Sequence, residues 1–230
     1  MKRFWKEASA VPREGGWAVE LDGRPLRTPA RNELRVGSDA LADAIAAEWS
    51  GAGDLVDPRA MPLTGLANAA LDRVAPDAEA FAAALARYGE TDLLCYRAEA
   101  PAALAERQAA EWDPLLAWAR RRFDVDFSIT AGITHVAQPE ATVARLGHAV
   151  ATLDPFRLAA LAPLVTIGGS LIAALAVVEA AIGPEEAWQA VSLDERWQLE
   201  KWGSDAEAEA ALELRRRDFL AAARFVELLG

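Results

Sequence analysis

From Leu158 to Val178 the chain carries no charged side chain, and a run of that kind has two physical fates. About 20 apolar residues are enough to cross a bilayer as one helix. The same run can instead lie at the centre of a water-soluble fold, buried on all sides. Pro163 and the pair Gly168-Gly169 interrupt it, and much of it is alanine. Proline removes a backbone donor and paired glycines favour a break, so one uninterrupted spanning helix is disfavoured. The expectation is two buried helices, divided at the glycines, with the rest of the chain packed around them and no membrane segment.

A chain of 230 residues, 53% hydrophobic and 26% charged, is long enough to enclose such a core and too apolar to be disordered throughout. The net charge of −11 excludes nucleic acid as the main partner, because phosphate binding needs a basic surface, and it disfavours an anionic membrane surface. Cys95 is the sole cysteine, so no disulfide forms within the chain and a reducing compartment is expected. With one cysteine and two separated histidines, His135 and His148, no zinc-ligand spacing occurs and no metal is expected. The start, Met-Lys-Arg-Phe-Trp-Lys, has basic residues but no apolar run behind them, which is not a secretory signal; the expected location is the bacterial cytoplasm.

Organisation changes along the chain. Trp17, Val19 and Leu21 alternate with Ala18 and Glu20, the period of a strand. Asp22-Gly23 follows, a two-residue turn whose central positions both need positive φ, and Arg24 to Thr28 reads as the returning strand. Lys6 to Val11 and Leu34 to Val36 add further short strands. Ser38 then offers an N-cap to a helix with Leu41, Ala44, Ile45 and Trp49 on one face, stopped by Gly51. From Pro62 onward, apolar residues recur at helical spacing. Ser192…Glu195 and Ser204…Glu207 have the pattern of capping boxes. The last helix, from Asp205 to about Leu229, places acids early and Arg215-Arg216-Arg217 late, an order that suits the helix dipole. The fold class is therefore α+β: a small N-terminal antiparallel β-rich domain with one helix, residues 1–58, followed by a larger all-helical domain, residues 59–230.

Chemistry is harder to find. There is no G-x-x-x-x-G-K-[ST] loop, no G-x-S-x-G elbow and no G-x-G-x-x-G after a strand. Gly168-Gly169 lies in the apolar run and reads as close packing or a helix break. Cys95, between Leu94 and Tyr96, reads as a small core residue rather than a nucleophile, and His148 as a structural histidine. The eight tryptophans are more informative. They recur beside charges, as in Glu48-Trp49, Glu111-Trp112-Asp113, Glu195-Arg196-Trp197 and Glu200-Lys201-Trp202. Tryptophan anchors protein interfaces through large apolar area and one donor. It also sits half-buried in cores with its N–H on a carboxylate. No catalytic residue and no cofactor-binding residue stands out, and the chain is not expected to be an enzyme.

Several short motifs occur in a fixed order: Arg3-Phe4-Trp5-Lys6, then Leu21-Asp22-Gly23-Arg24-Pro25-Leu26-Arg27-Thr28-Pro29, Glu48-Trp49 and Met61-Pro62-Leu63-Thr64. Tyr88-Gly89-Glu90-Thr91-Asp92-Leu93-Leu94-Cys95-Tyr96-Arg97 follows, with Gln108, Trp112-Asp113-Pro114-Leu115-Leu116 and Gly169-Ser170-Leu171. The last is Glu195-Arg196-Trp197-Gln198-Leu199-Glu200-Lys201-Trp202-Gly203. Their order and spacing resemble the assembly chaperones for the α subunit of the F-type ATP synthase catalytic head, over nearly the whole chain.

That resemblance implies a β-rich domain joined to a helical one, no ATPase activity and no cofactor. It implies a client, the unassembled α subunit of F1-ATPase, kept from aggregating until β subunits cover the same surface. Motif position and the mixture of acids with aromatics single out Glu48, Trp49, Glu200, Trp202 and Asp205 as partner-binding residues. The competing expectation is a small-molecule-binding protein or enzyme whose pocket lies at the domain junction, with Asp92, Tyr96 and Arg97 as its polar groups.

Overall fold

The computed structural model describes residues 2–203 and 205–230. Its N-terminal part is a four-stranded antiparallel sheet of β1 (Ala8–Arg13), β2 (Gly16–Leu21), β3 (Arg24–Pro25) and β4 (Arg35–Val36). β2 is central: β1 pairs along one edge, Ala8 opposite Leu21, and β3 and β4 share the other. The tight turn is as the sequence requires, with φ of 49° at Asp22 and 74° at Gly23. The Asp22 carboxylate also accepts from the N–H groups of Glu7 and Lys6, and these bonds hold its pKa below the usual value. The expected alternation along β2 is blunted. Glu20 is buried as well as Val19, because Arg13 on β1 pairs with its carboxylate and shields it.

Helix α1 (Asp39–Ser50) starts at Ser38, whose Oγ accepts from Leu41 N, and packs its Leu41, Ile45 and Trp49 face on the sheet. Then follow α2 (Pro62–Ala69), a π-type turn over Ala70–Val74, and α3 (Ala78–Ala86). After them come β5 (Tyr96–Arg97), α4 (Ala102–Phe123) and β6 (Thr130–Ala131), which lies parallel to β5. The remainder is α5 (Glu140–Ala151), α6 (Pro155–Gly168), α7 (Leu171–Val178), α8 (Pro184–Val191), α9 (Leu193–Trp202) and α10 (Ala206–Leu229). Pro114 is carried inside α4 without ending it.

The uncharged run becomes α6 and α7, and it breaks where expected. Gly169 takes φ 67°, a left-handed cap. Gly168 lies so close to α8 and α10 that a Cβ there would stand 3.2 Å from Val191 and 3.4 Å from Phe219. Both helices lie in the core, with α6 against α10, α3 and α2, and α7 against α4 and α8. Among the described residues no helix is long and apolar enough to cross a membrane.

A helix that begins in the core has orphan N–H groups out of reach of water. For α7 they are met by Ser170 Oγ, which accepts from Ala173 N at 3.0 Å, and by Asp92, which accepts from Ile172 N at 3.0 Å. The same carboxylate accepts from Leu94 N, and Leu93 N donates to Gly169 O, so the chain just before β5 is fixed against α7. Asp92 is wholly buried.

Two further carboxylates tie the sheet and α1 to the helices. Asp72 accepts from Thr28 Oγ1, Ala30 N and Asn32 Nδ2. Glu48 accepts from Leu63 N, Thr64 N and Thr64 Oγ1, which satisfies the start of α2. Three sequence expectations are corrected. Ser192 does not form a capping box: its hydroxyl donates back to Trp188 O at the end of α8. Arg215, Arg216 and Arg217 lie in the middle of α10 rather than its last turn, and they pair with Glu195, Glu185 and Asp218. The indole N–H groups of the buried Trp5, Trp49 and Trp112 reach neutral oxygens, not carboxylates. Of the second capping box, Ser204 lies outside the described residues; Asp205 caps α10 through Glu207 N.

Burial pushes the Asp92 carboxyl up to about 6, against the N–H donors that favour its charged form. A folded pKa above that of an exposed aspartate means that protonation favours the folded state. The contribution is complete below about pH 4 and lost as pH rises through about 6, a change of about 3 kcal/mol at about 1.4 kcal/mol per pH unit. The expected outcome, read by urea unfolding at several pH values, is that wild-type stability falls relative to Asp92→Asn across that range. A pH-independent difference contradicts it.

Candidate interaction groove

The segment that Asp92 fixes leads into a groove of about 900 Å³. Its floor is β5 with the following residues to Pro101, and Leu104 and Gln108 of α4 form one side. Gly132 and Ile133 stand at one rim, and α9 forms the opposite wall with Asp194, Trp197, Lys201 and Trp202. Two large apolar side chains stand out in water here: Ile133 is 99% exposed and Trp202 80%. Large apolar groups exposed around one groove mark binding surfaces.

Polar bonds hold the groove in shape. Gln108 is buried; its Oε1 accepts from Ala98 N and its Nε2 donates to Asp194 Oδ1, both at 2.7 Å, so one amide joins the end of β5, α4 and α9. Partial burial raises the Asp194 pKa, opposed by the Gln108 bond. The Arg97 guanidinium lies over the Trp112 ring at 5.1 Å and donates to Asp113 Oδ1 at 2.7 Å. Its Nε and Nη1 are buried without a partner among the described residues. The indole N–H of Trp112 donates to Ala190 O.

The α9 wall is attached differently from the other helices. Leu193 is its only buried residue. Beyond it, α9 is held by the Gln108–Asp194 bond and by charge: Arg107 of α4 donates to Glu200 at 2.8 Å, Arg196 pairs with Glu111 at 3.5 Å, and Glu195 pairs with Arg215. The bond to Arg107 lowers the Glu200 pKa. Exposed pairs of this kind contribute little each and weaken with salt.

The five residues singled out in the sequence fall into two sets. Glu200, Trp202 and Asp205 are exposed where α9 meets α10, and of the three Trp202 lines the groove. Glu48 and Trp49 do not join them. Trp49 is core, 8% exposed, edge-on to Trp5 at 5.0 Å and bonded through Nε1 to Thr64. Glu48 caps α2 and lines a separate depression beside α10. Of the residues expected to line a junction pocket, Tyr96 and Arg97 line the groove, within the helical part, and Asp92 is sealed beneath it. Burial pushes the Cys95 thiol up to about 12, so it supplies no thiolate near neutral pH.

Ile133 and Leu104 were not singled out in the sequence, and Trp197 was noted there only as a tryptophan beside charges. The signal for Ile133 was available: an isolated large aliphatic between Gly132 and Thr134, in a connection with no stripe to join.

Residues 2–120 match the model of the ATP12 chaperone protein family. The chain belongs to the ATP12 chaperone family. The crystal structure of Atp12 from Paracoccus denitrificans is similar over 100% of this chain and 98% of that one, with 47% identity and a TM-score of 0.94. A protein from Agrobacterium tumefaciens aligns over 100% of this chain and 86% of its own, at 39% identity and a TM-score of 0.94. The mitochondrial protein atp12 of Schizosaccharomyces pombe is 28% identical over 215 residues, 88% of this chain and 74% of that protein. Within this ATP12 chaperone, groove and core make separable demands. Trp202→Ala and Ile133→Ser are expected to leave the melting temperature almost unchanged, whereas Trp49→Ala is expected to cost about 3–5 kcal/mol. Thermal and urea unfolding check both; a large loss on Trp202→Ala places that residue in the core instead.

Proposed function

We propose that this chaperone assists assembly of the F-type ATP synthase head by binding the unassembled α subunit until β subunits replace it. It does so in the bacterial cytoplasm and without a chemical step. The observation that carries this reading is the pair of exposed anchors, Ile133 and Trp202, on either side of one apolar groove with charged groups at its rim. An isolated subunit of a tight assembly exposes an apolar face larger than monomers normally show, and such a face aggregates. A holder must cover that face and later leave it. Aromatic and aliphatic anchors supply the contact, and rim charges such as Glu200 and Asp205 assist encounter more than lifetime. In this reading residues 59–230 carry the client surface, and residues 1–58 support it from outside.

The groove also has a volume in the range of small-molecule sites. Its two most exposed apolar side chains, Ile133 and Trp202, stand in water, however, which suits a polypeptide better than an enclosed ligand. Purified protein mixed with isolated α subunit is expected to suppress light scattering and to co-elute on gel filtration, with β subunit as the inactive control. Trp202→Ala is expected to weaken the complex at least tenfold. No effect on α, together with a thermal shift from a metabolite panel, reverses the assignment.

A further inference from the structure

The connection from α4 to α5 contains a half-satisfied strand. Its even-numbered residues are bonded on one side. Thr142 Oγ1 donates to Asp126 O, the Gln138 side chain bonds both N and O of Ser128, Thr130 pairs in register with Tyr96 on β5, and Gly132 N donates to Arg97 O. Gln138 is buried and acts as a substitute for neighbouring backbone, extending the short pairing with β5 toward Asp126. In an extended chain the N–H and C=O groups of successive residues point to opposite sides. Those of Phe127, Ile129 and Ala131 therefore point away from β5, and they have no backbone partner on another element among the described residues; the Ala131 carbonyl accepts from Thr130 Oγ1 of its own strand at 3.3 Å. Ile129 is 43% exposed, Ala131 is exposed, and Ile133 beyond them stands at the rim of the groove.

Proteins normally protect such an edge with charge, proline or a covering element. From Phe127 to Ile133 there is neither a charged residue nor a proline. The ligand that matches alternating N–H and C=O groups along an edge is another extended backbone. We propose that this open edge takes up an extended segment of the client as an added β-strand, and that the strand's apolar side chains reach the groove beside Ile133. The proposal rests on the client reading above and deepens it. A second copy of this chain is a poor occupant, because each copy carries a net charge of −11, with Glu99 beside Gly132 and Glu90 and Glu140 around the Gln138 that supports the strand, none of them in an ion pair among the described residues. The occupant favoured by these charges is an apolar strand flanked by lysine or arginine.

Amide hydrogen exchange of the full chain, alone and with isolated α subunit, tests this. The result expected is that the amides of Ile129 and Ala131 exchange freely in the protein alone and slow at least tenfold in the complex. Ala131→Pro, which removes an edge donor that makes no internal bond, is expected to weaken the complex at least tenfold at unchanged melting temperature, and Ala131→Ser to retain it. A complex whose Ile129 and Ala131 amides remain fast overturns strand addition and leaves the client reading intact. Absence of any complex with α overturns both. Slowing that appears in the protein alone as its concentration rises assigns the edge to a second copy and overturns the proposal.

Discussion

Much of this structure follows from starting a helix inside the core. The uncharged run cannot be one helix, because Gly169 turns the chain, and its second half must begin where no water is available. Asp92 supplies an acceptor there, at the cost of burying a carboxylate completely. Such a charge is tolerable only when donors converge on it, and those donors come from two places, α7 and the turn that leads into β5. The bond that completes the core helix therefore also fixes the floor of the groove. Core and groove share one register.

The same economy recurs at the other end of the molecule. Glu48 and Asp72 each gather three donors across the junction between the sheet region and the helices, and the Trp5–Trp49 contact fills the space between. These groups are occupied by the fold itself. By contrast the α9 wall has one buried residue and a set of exposed ion pairs, and β6 pairs with β5 alone among the described strands. The parts held by burial support the fold, and the parts held by charge or left unsatisfied face the groove. A chaperone that must grip and then release its client is well served by that division.

The elements were legible where one residue type has one physical use. Asp22-Gly23 specified its turn, Ser38 its cap and Gly168-Gly169 the break between α6 and α7. The β5–β6 pairing was not legible, because two residues on each side give no periodicity and the partners are far apart in sequence. Aromatic-acid adjacency was ambiguous for the same reason at both ends. Glu48-Trp49 and Glu200-Lys201-Trp202 look alike as strings, yet Trp49 meets Trp5 and Thr64 while Trp202 meets water. Only the third dimension separates them. Ser192 shows the limit of local patterns: the box was present in the sequence, but the end of α8 competed for the hydroxyl and won.

In the proposed function the client sits on the groove between α9 and Ile133 and not on the N-terminal sheet. A photo-crosslinking amino acid placed at position 202, with a control at the exposed Arg24 of β3, reads this directly when purified α subunit is added. That placement gives a crosslink to α from position 202 that is competed by β subunit, and none from position 24. Crosslinking from position 24 alone contradicts it.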